Sequence, residues 1–271
     1  MNILESILLG KDKNQDICED GAFVNDNFVA VIDGVTSKGK QLWSNNKKTS
    51  GRYAKDLIIE ELGKVPYNIT AEKLITRLNS ILYAKYKEEV IIDNISEWLR
   101  ASIVVYSNYY KEIWSYGDCK FMINDIEYKN TKKVDEIIAN TRSLILEDMI
   151  INGSNIEELI ENDVGRKEIM PLLKRQFNFE NKKSNYGYPI LNGHNYNYEL
   201  LKKIKVYKGD NIVLASDGYP KLFNSLDKSE KYLQKILIED PLCFRIYKST
   251  KGINKNKQSF DDRCYYRFIC E

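Results

Sequence analysis

Two apolar stretches of this chain each end at an Asp-Gly pair. Val29–Gly34 reads Val-Ala-Val-Ile-Asp-Gly, and Asn211–Gly218 reads Asn-Ile-Val-Leu-Ala-Ser-Asp-Gly. Short runs rich in β-branched residues favour buried strands, and a glycine directly after the acid allows a turn or the close approach of a ligand. Each predicted strand therefore delivers a carboxylate, Asp33 or Asp217, at its tip. Two such tips, far apart in the sequence, can converge on one metal ion.

The composition is that of a globular protein with a substantial core. The chain has 271 residues, of which 43% are hydrophobic, and a formal net charge of +2. A balanced charge gives no overall electrostatic case for binding nucleic acid or a membrane surface. The N-terminus lacks the basic leader of a signal peptide, and no apolar run is long enough to span a membrane. The five cysteines are widely spaced without a Cys-x-x-Cys pair, so we expect a reduced, cytoplasmic setting.

Histidine is almost absent, and His194 is the only one in the chain. A metal ion is therefore expected to be bound by carboxylates, which favours hard ions such as magnesium or manganese. His194 lies in a segment rich in Asn and Tyr, where an exposed or loop-capping role is favoured over catalysis. Donation of a proton from this histidine to a leaving alkoxide stays open as an alternative.

The pattern of apolar residues predicts an α+β fold. Predicted strands cover residues 22–24, 28–33, 98–107, 111–116, 120–124, 202–207, 211–217 and 264–270. Predicted helices cover residues 49–63, 71–90, 132–152, 154–176 and 229–239. The polar segment 178–198 is expected to form a loop or flap. Because sheet-forming segments lie at both ends of the chain, we expect a single domain over residues 1–271 with two stacked sheets covered by helices.

Five aspartates stand out by their positions, and four of them mark a strand boundary: Asp16, Asp33, Asp118, Asp217 and Asp261. Any one of them alone is more often a turn residue or a solvated strand end than a ligand. A cluster of carboxylates is repulsive unless cations neutralise it, so their convergence predicts a bound pair of divalent ions. Two such ions can position and acidify a water for attack on phosphorus.

Six segments of the chain form an ordered set of motifs: Lys11–Asp16, Val31–Gly34, Ala101–Val105, Gly117–Lys120, Leu214–Gly218 and Asp261-Asp262. In this order they resemble the motifs of the metal-dependent serine/threonine protein phosphatases of type 2C, especially the bacterial members. The segment Ala-Ser-Asp-Gly at 215–218 matches the family's pattern almost letter for letter. The resemblance runs from about residue 10 to the C-terminus.

The resemblance implies a four-layer αββα sandwich, with two antiparallel sheets flanked by helix pairs and two manganese or magnesium ions between them. It implies that Asp33 bridges the ions, that the Gly34 carbonyl ligates one of them, and that Asp217 and Asp261 are direct ligands. Two further residues have outer roles by the same resemblance: Asp16 acts directly or through water, and Asp118 helps to hold a third, weaker ion. The implied substrate is a phosphorylated protein, attacked by an activated water.

Several positions depart from the family's pattern. Lys11 stands where an arginine usually grips the phosphate, and a lysine lacks its bidentate fork. Gln15 replaces a glutamate, Val35 stands where eukaryotic members have a histidine, and residues 125–200 form a divergent insertion or flap. The leading interpretation is a phosphatase in which Lys11, Asp33 and Asp217 carry the chemistry. A phosphatase-like binding or sensing module without catalysis is the alternative, and a different metallohydrolase is a third.

Overall fold

The computed structural model describes residues 2–44, 47–89, 94–130 and 132–271, which form two five-stranded antiparallel sheets stacked on each other. The first sheet has the order β2 (Asp20–Val24), β3 (Phe28–Gly34), β4 (Ala101–Ser107), β5 (Glu112–Tyr116) and β8 (Lys202–Lys205). The second has the order β1 (Ile3–Leu9), β10 (Arg263–Ile269), β9 (Asn211–Ala215), β6 (Lys120–Ile123) and β7 (Ile126–Tyr128). Strands from both ends of the chain therefore meet in the second sheet.

The layer between the sheets is apolar because alternate residues of the strands on both sides point into it. Val29 and Val31 of β3 pack there with Leu214 of β9 and Phe268 of β10. By the same alternation Asp33, two residues beyond Val31, lies at the end of this inner face. The carboxylate is thus carried to the open end of the layer between the two sheets.

Helices cover the outer faces of both sheets. On the first sheet, α1 (Ser50–Leu62) and α2 (Ala71–Glu89) pack against the residues of β3 that alternate with the inner ones, Ala30 and Ile32. On the second sheet, α6 (Leu226–Glu239) covers β9. Helices α3 (Lys133–Ile151), α4 (Ile156–Glu161) and α5 (Val164–Arg175) lie beside the sandwich. Among the described residues, no helix combines the length and apolar character needed to cross a bilayer.

The predicted α+β fold class with two antiparallel sheets is confirmed. Strands β1 and β7 were not predicted: β1 pairs only with the C-terminal strand β10, and β7 has just three residues. The predicted helix 154–176 is divided, because α4 ends before Asp163 and this residue caps a new helix, α5. Val90, the predicted last residue of the second helix, lies outside the described residues.

The segment 178–198 packs onto the first sheet. The backbone groups of Leu191 and Ala101 exchange two hydrogen bonds of 3.0 Å. The Tyr86 hydroxyl of α2 donates to the carbonyl of Asn192 at 2.7 Å. The ring of His194 stacks on Trp98, with 3.6 Å between the ring centroids. These contacts tie the polar segment to the core on both sides of Asn192.

Candidate metal centre

Polar side chains form one row across the end of the first sheet. Asp20 of β2 lies opposite Asp33 of β3, which lies opposite Ser102 of β4. Directly opposed residues of antiparallel strands project to the same face, so both carboxylates point into the inner layer. The Ser102 hydroxyl donates to the Asp118 carboxylate, and the Asp118 N–H donates to the Ser102 oxygen at 3.2 Å. The row thereby holds Asp118 beside it.

The second sheet brings two more carboxylates to the same end. Asp217 follows β9 and Asp261 precedes β10, and these strands are antiparallel neighbours. The N–H of Ser216 donates to the carbonyl of Cys264 at 3.0 Å, and the N–H of Cys264 donates to the Ser216 hydroxyl oxygen at 2.9 Å. Four of the carboxylates line one cavity of about 880 Å³: Asp33, Asp118, Asp217 and Asp261.

The carboxylates raise one another's pKa. Burial raises the pKa of Asp33 well above its usual value, and the charges of Asp217 and Asp20 add to the shift. Burial also raises the pKa of Asp217 to about 7, helped by Asp261 and Asp118. The pKa of Asp20 is raised mainly by its burial. These shifts show excess negative charge at this end of the sandwich.

Two lysines neutralise the acids that precede β10. The Lys11 ammonium lies 3.3 Å from an oxygen of Asp261, 3.2 Å from one of Asp262 and 3.7 Å from one of Glu19. Lys251 forms a second, close ion pair with Asp261. Burial opposes the effect, but Lys251 and Lys11 together lower the pKa of Asp261 to about 2. Lys11 is therefore held by carboxylates in this structure.

A third lysine neutralises Asp118. The Lys132 ammonium lies 3.2 Å from an Asp118 oxygen and 2.8 Å from an Asp135 oxygen. Although burial acts in the other direction, Lys132 and the Ser102 hydroxyl lower the pKa of Asp118. Among the described residues, Asp20, Asp33 and Asp217 have no cationic side chain within ion-pair distance. The uncompensated charge is concentrated on these three.

A hard divalent cation fits the donor chemistry of this end of the sandwich. The Oδ2 atom of Asp20 is buried and has no hydrogen-bond partner in the described part of the chain. Buried acceptors are normally satisfied, and carboxylate oxygens are the ligands that magnesium and manganese prefer. Within the described ranges, however, no three acidic, histidine or cysteine side chains are already arranged around one metal position. Ligation would require these carboxylates to turn toward a common point.

Close backbone packing sets the path of the chain after Asp33. A Cβ atom on Gly34 would stand 2.1 Å from the carbonyl oxygen of Gly51, at the start of α1. The Gly34 N–H donates to the carbonyl of Glu19 at 3.0 Å. The Glu19 carboxylate in turn accepts hydrogen bonds from the hydroxyl groups of Thr36 and Thr49. Glycine at 34 therefore lets β3 and α1 meet beside the cavity.

Asp16 is the one predicted ligand that the structure does not bring to the others. It is exposed on a short 3-10 helix, and its N–H donates to Asn14. Glu19 and Asp20 lie next to Asp33 instead, and sequence reasoning missed both. For Asp20 the sequence does contain a signal, because Asp20-Gly21 is a third Asp-Gly pair of the chain and adjoins the predicted strand 22–24.

Comparisons with known proteins found similar solved structures but no similar sequence. No protein-family model matches the chain, and no curated protein sequence matches it. The chain is similar to solved structures of the family that its motifs indicated. One is the catalytic domain of the serine/threonine phosphatase PstP in complex with two manganese ions, with 15% sequence identity, 99% of both chains covered and a TM-score of 0.49. Another is the serine/threonine phosphatase Stp1 from Staphylococcus aureus, with 13% identity, 100% of this chain and 96% of that chain covered and a TM-score of 0.49. A third is RsbX in complex with magnesium, with 13% identity, 98% of this chain and 97% of that chain covered and a TM-score of 0.46.

Proposed function

We propose that this chain is a metal-dependent phosphatase that hydrolyses phosphoserine and phosphothreonine in proteins. One observation carries the proposal: carboxylates from both sheets line a single cavity, and two of them, Asp33 and Asp217, have no cation within ion-pair distance among the described residues. A buried acidic cluster is costly unless cations neutralise it. Together with the ordered motifs, this favours manganese or magnesium bound at the cavity floor.

The ligand set that we propose is the one that the motif resemblance implies. Asp33 would bridge two ions, the Gly34 carbonyl would contact one of them, and Asp217 would be a direct ligand. Asp261 would join once Lys251 moves away. In this proposal Asp118 would help to hold a third, weaker ion, and Asp16 would act through water. Asp20 would support Asp33 from the neighbouring strand. When bound, the ions supply a means of acidifying water and of neutralising charge on phosphorus.

The chain's own residues hold the reacting groups. Asp262 accepts hydrogen bonds from the N–H groups of Lys11 and Glu19, at 2.7 and 3.1 Å, and so fixes the segment before β2 to the start of β10. The cavity of about 880 Å³ is large enough to take a phosphorylated side chain with its neighbouring residues. Both Asp33 and Asp217 line this cavity, and in the proposal they would orient a water toward the phosphorus.

Release of phosphate from 4-nitrophenyl phosphate and from phosphoserine peptides tests this proposal. We expect activity that depends on manganese or magnesium and falls roughly 100-fold or more in Asp33→Asn and in Asp217→Asn, because each change removes a ligand charge. Asp227→Asn, an exposed acid of α6, is the matched control and should act like the wild type. Absence of any metal-dependent phosphate release, or full activity in Asp33→Asn, would contradict the proposal.

A binding or sensing module without catalysis is the second candidate. The ion pairs of Lys11 and Lys251 with Asp261 favour it, since these ammonium groups stand where a cation would bind. Calorimetry distinguishes the two: a sensing module would bind a phosphopeptide and show no manganese binding. Analysis of the products released from different esters would separate a phosphatase from another metallohydrolase.

The cellular setting belongs to the same proposal. All five cysteines are free and buried, and burial raises the pKa of Cys18 and of Cys243 to about 12. Free buried thiols suit a reducing compartment, so we propose that the protein works in the cytoplasm on phosphorylated proteins.

A further inference from the structure

Cationic side chains line the cavity as well as carboxylates. Among the described residues nine cations line it, and three of them, Lys132, Arg166 and Lys251, act on the charge of a fourth, Lys38. Lys38 lies in the loop after β3, Arg166 lies in the first turn of α5, and Lys251 lies in the loop before β10. Lys132 stands at the start of α3, so these four cations come from four separate parts of the chain and meet in the lining of one cavity.

Two of these cations are already paired with acids. Lys132 is held by Asp118 and Asp135, and Lys251 is held by Asp261. Lys11, which the sequence motifs place at the phosphate, is likewise bound to carboxylates. The charge of each of these three ammonium groups is already balanced by at least one carboxylate.

Lys38 and Arg166 differ from them. No acidic side chain among the described residues lies within ion-pair distance of either group. The Lys38 ammonium donates only to the carbonyl of Thr36, at 3.1 Å. One nitrogen of the Arg166 guanidinium donates to the carbonyl of Thr250, at 2.6 Å. This single contact leaves the other guanidinium N–H groups able to donate to a ligand.

The position of Arg166 is fixed by the packing of α5. Asp163 caps this helix, accepting from the N–H of Arg166 at 2.8 Å, and is itself paired with the buried Arg142 of α3. A Cβ atom on Gly165 would stand 2.9 Å from Leu146, so the two helices are in close contact there. Arg166 thus projects into the cavity from a rigid helix end.

The surroundings of Lys38 favour an anionic ligand. Burial lowers the pKa of Lys38 to about 7, and the charges of Arg166, Lys251 and Lys132 contribute to the shift. A bound dianion would offset this repulsion and stabilise the charged ammonium. A guanidinium can also bind a phosphate through two parallel hydrogen bonds, which a single lysine cannot provide.

We propose that Lys38 and Arg166 bind the phosphate group of the substrate, in the role that the sequence motifs assign to Lys11. This proposal rests on the proposed function, because it places a phosphate monoester in the same cavity. Arg166 supplies the bidentate contact and Lys38 the second charge. The divergent segment 125–200 thereby contributes a substrate-binding residue through α5.

Binding of inorganic phosphate to the full chain in the presence of magnesium, measured by calorimetry, tests the assignment without turnover. We expect Arg166→Gln and Lys38→Gln each to weaken phosphate binding by roughly 10- to 100-fold, the size of a lost charged hydrogen bond. Arg166→Lys keeps the charge without the fork and should fall between Arg166→Gln and wild type. The KM for 4-nitrophenyl phosphate should rise in the same order.

Two surface changes serve as matched controls, Arg175→Gln on α5 and Lys40→Gln in the loop of Lys38, since both side chains are exposed. Both should bind phosphate like the wild type, and thermal unfolding confirms that each variant folds. Wild-type phosphate affinity in both Arg166→Gln and Lys38→Gln, or no phosphate binding to the wild type, would overturn the assignment. If phosphate binding depends on both residues but no phosphate ester is hydrolysed, the result contradicts the proposed catalytic function. The same result would still support the assignment of Lys38 and Arg166 as a phosphate-binding site.

Discussion

Single lysine side chains determine which carboxylates of the cavity carry an uncompensated charge. Lys132 pairs with Asp118, and Lys251 pairs with Asp261, whereas Asp33 has no cationic partner among the described residues. An ammonium group and a divalent cation compete for the same carboxylate oxygens. The lysines that pair with the cavity carboxylates therefore set how strongly these carboxylates attract metal ions.

Replacing Lys251 with alanine tests this competition. Because the change removes one of the two lysines paired with Asp261 and leaves only Lys11, we expect Lys251→Ala to bind manganese several-fold more tightly than the wild type in calorimetric titrations. Lys255→Ala, which removes an exposed ion pair with Glu161, is the control and should leave the affinity unchanged. Weaker manganese binding in Lys251→Ala would show that the lysine supports the metal site.

Among the elements, α5 depends on one buried arginine for its position. The Arg142 side chain is fully buried and makes a bidentate pair with Asp163, the cap of α5. Its other terminal nitrogen donates to the carbonyls of Leu242 and Ser249, at 2.8 and 3.0 Å. One guanidinium thus joins α3, the start of α5 and the loop that carries Thr250.

We expect Arg142→Ala to destabilise the protein by about 3–5 kcal/mol, since it leaves a partly buried carboxylate without its cation and three carbonyls without this donor. Urea denaturation followed by circular dichroism measures the loss. Arg245→Ala is the matched control, because Arg245 makes a bidentate pair at the surface with Glu147, which lies in α3 like Arg142. This change should lower the free energy of unfolding by less than about 1 kcal/mol. Equal losses in the two variants would contradict the importance given to Arg142.

The element boundaries show where sequence patterns stop being sufficient. The hairpin of β2 and β3 was predicted nearly to the residue, because apolar runs and an Asn-Asp-Asn turn are local signals. Strand β1 was missed, since its partner β10 lies at the other end of the chain. The helix 154–176 is divided at Asp163, which caps α5 through a local hydrogen bond from the Arg166 N–H, while its pairing with Arg142 is a contact that no local pattern reveals.

At the scale of the whole molecule, the two sheets collect negative charge between their ends. Burial, with a further contribution from the charges of neighbouring aspartates, raises the pKa of Asp20, Asp33 and Asp217 in the folded chain. When an aspartate has a higher pKa in the folded than in the unfolded state, the folded state binds more protons, and stability falls as pH rises between the two values. The usual aspartate pKa is about 3.9.

The metal-free protein should accordingly lose thermal stability as the pH rises from about 4 to about 7, the pKa of Asp217, and Asp20 and Asp33 act in the same direction. The lowered pKa of Asp261, about 2, makes stability rise with pH instead, but this contribution changes only below about pH 4. Melting temperatures measured in a chelator across this range check the prediction, and Asp217→Asn should show a weaker decline. A melting temperature that rises steadily from pH 4 to pH 7 would refute it.

The sequence by itself determined the strands that end at Asp33 and Asp217, the α+β class and the carboxylate chemistry, because apolar alternation and Asp-Gly pairs are written in neighbouring residues. The tertiary structure alone decided that Asp20 stands opposite Asp33, that Asp16 lies apart and that Lys11 is bound to acids. It also decided that Arg166 enters the cavity. These facts depend on strand register and on ion pairs between distant segments, and such contacts exist only once the two sheets are stacked.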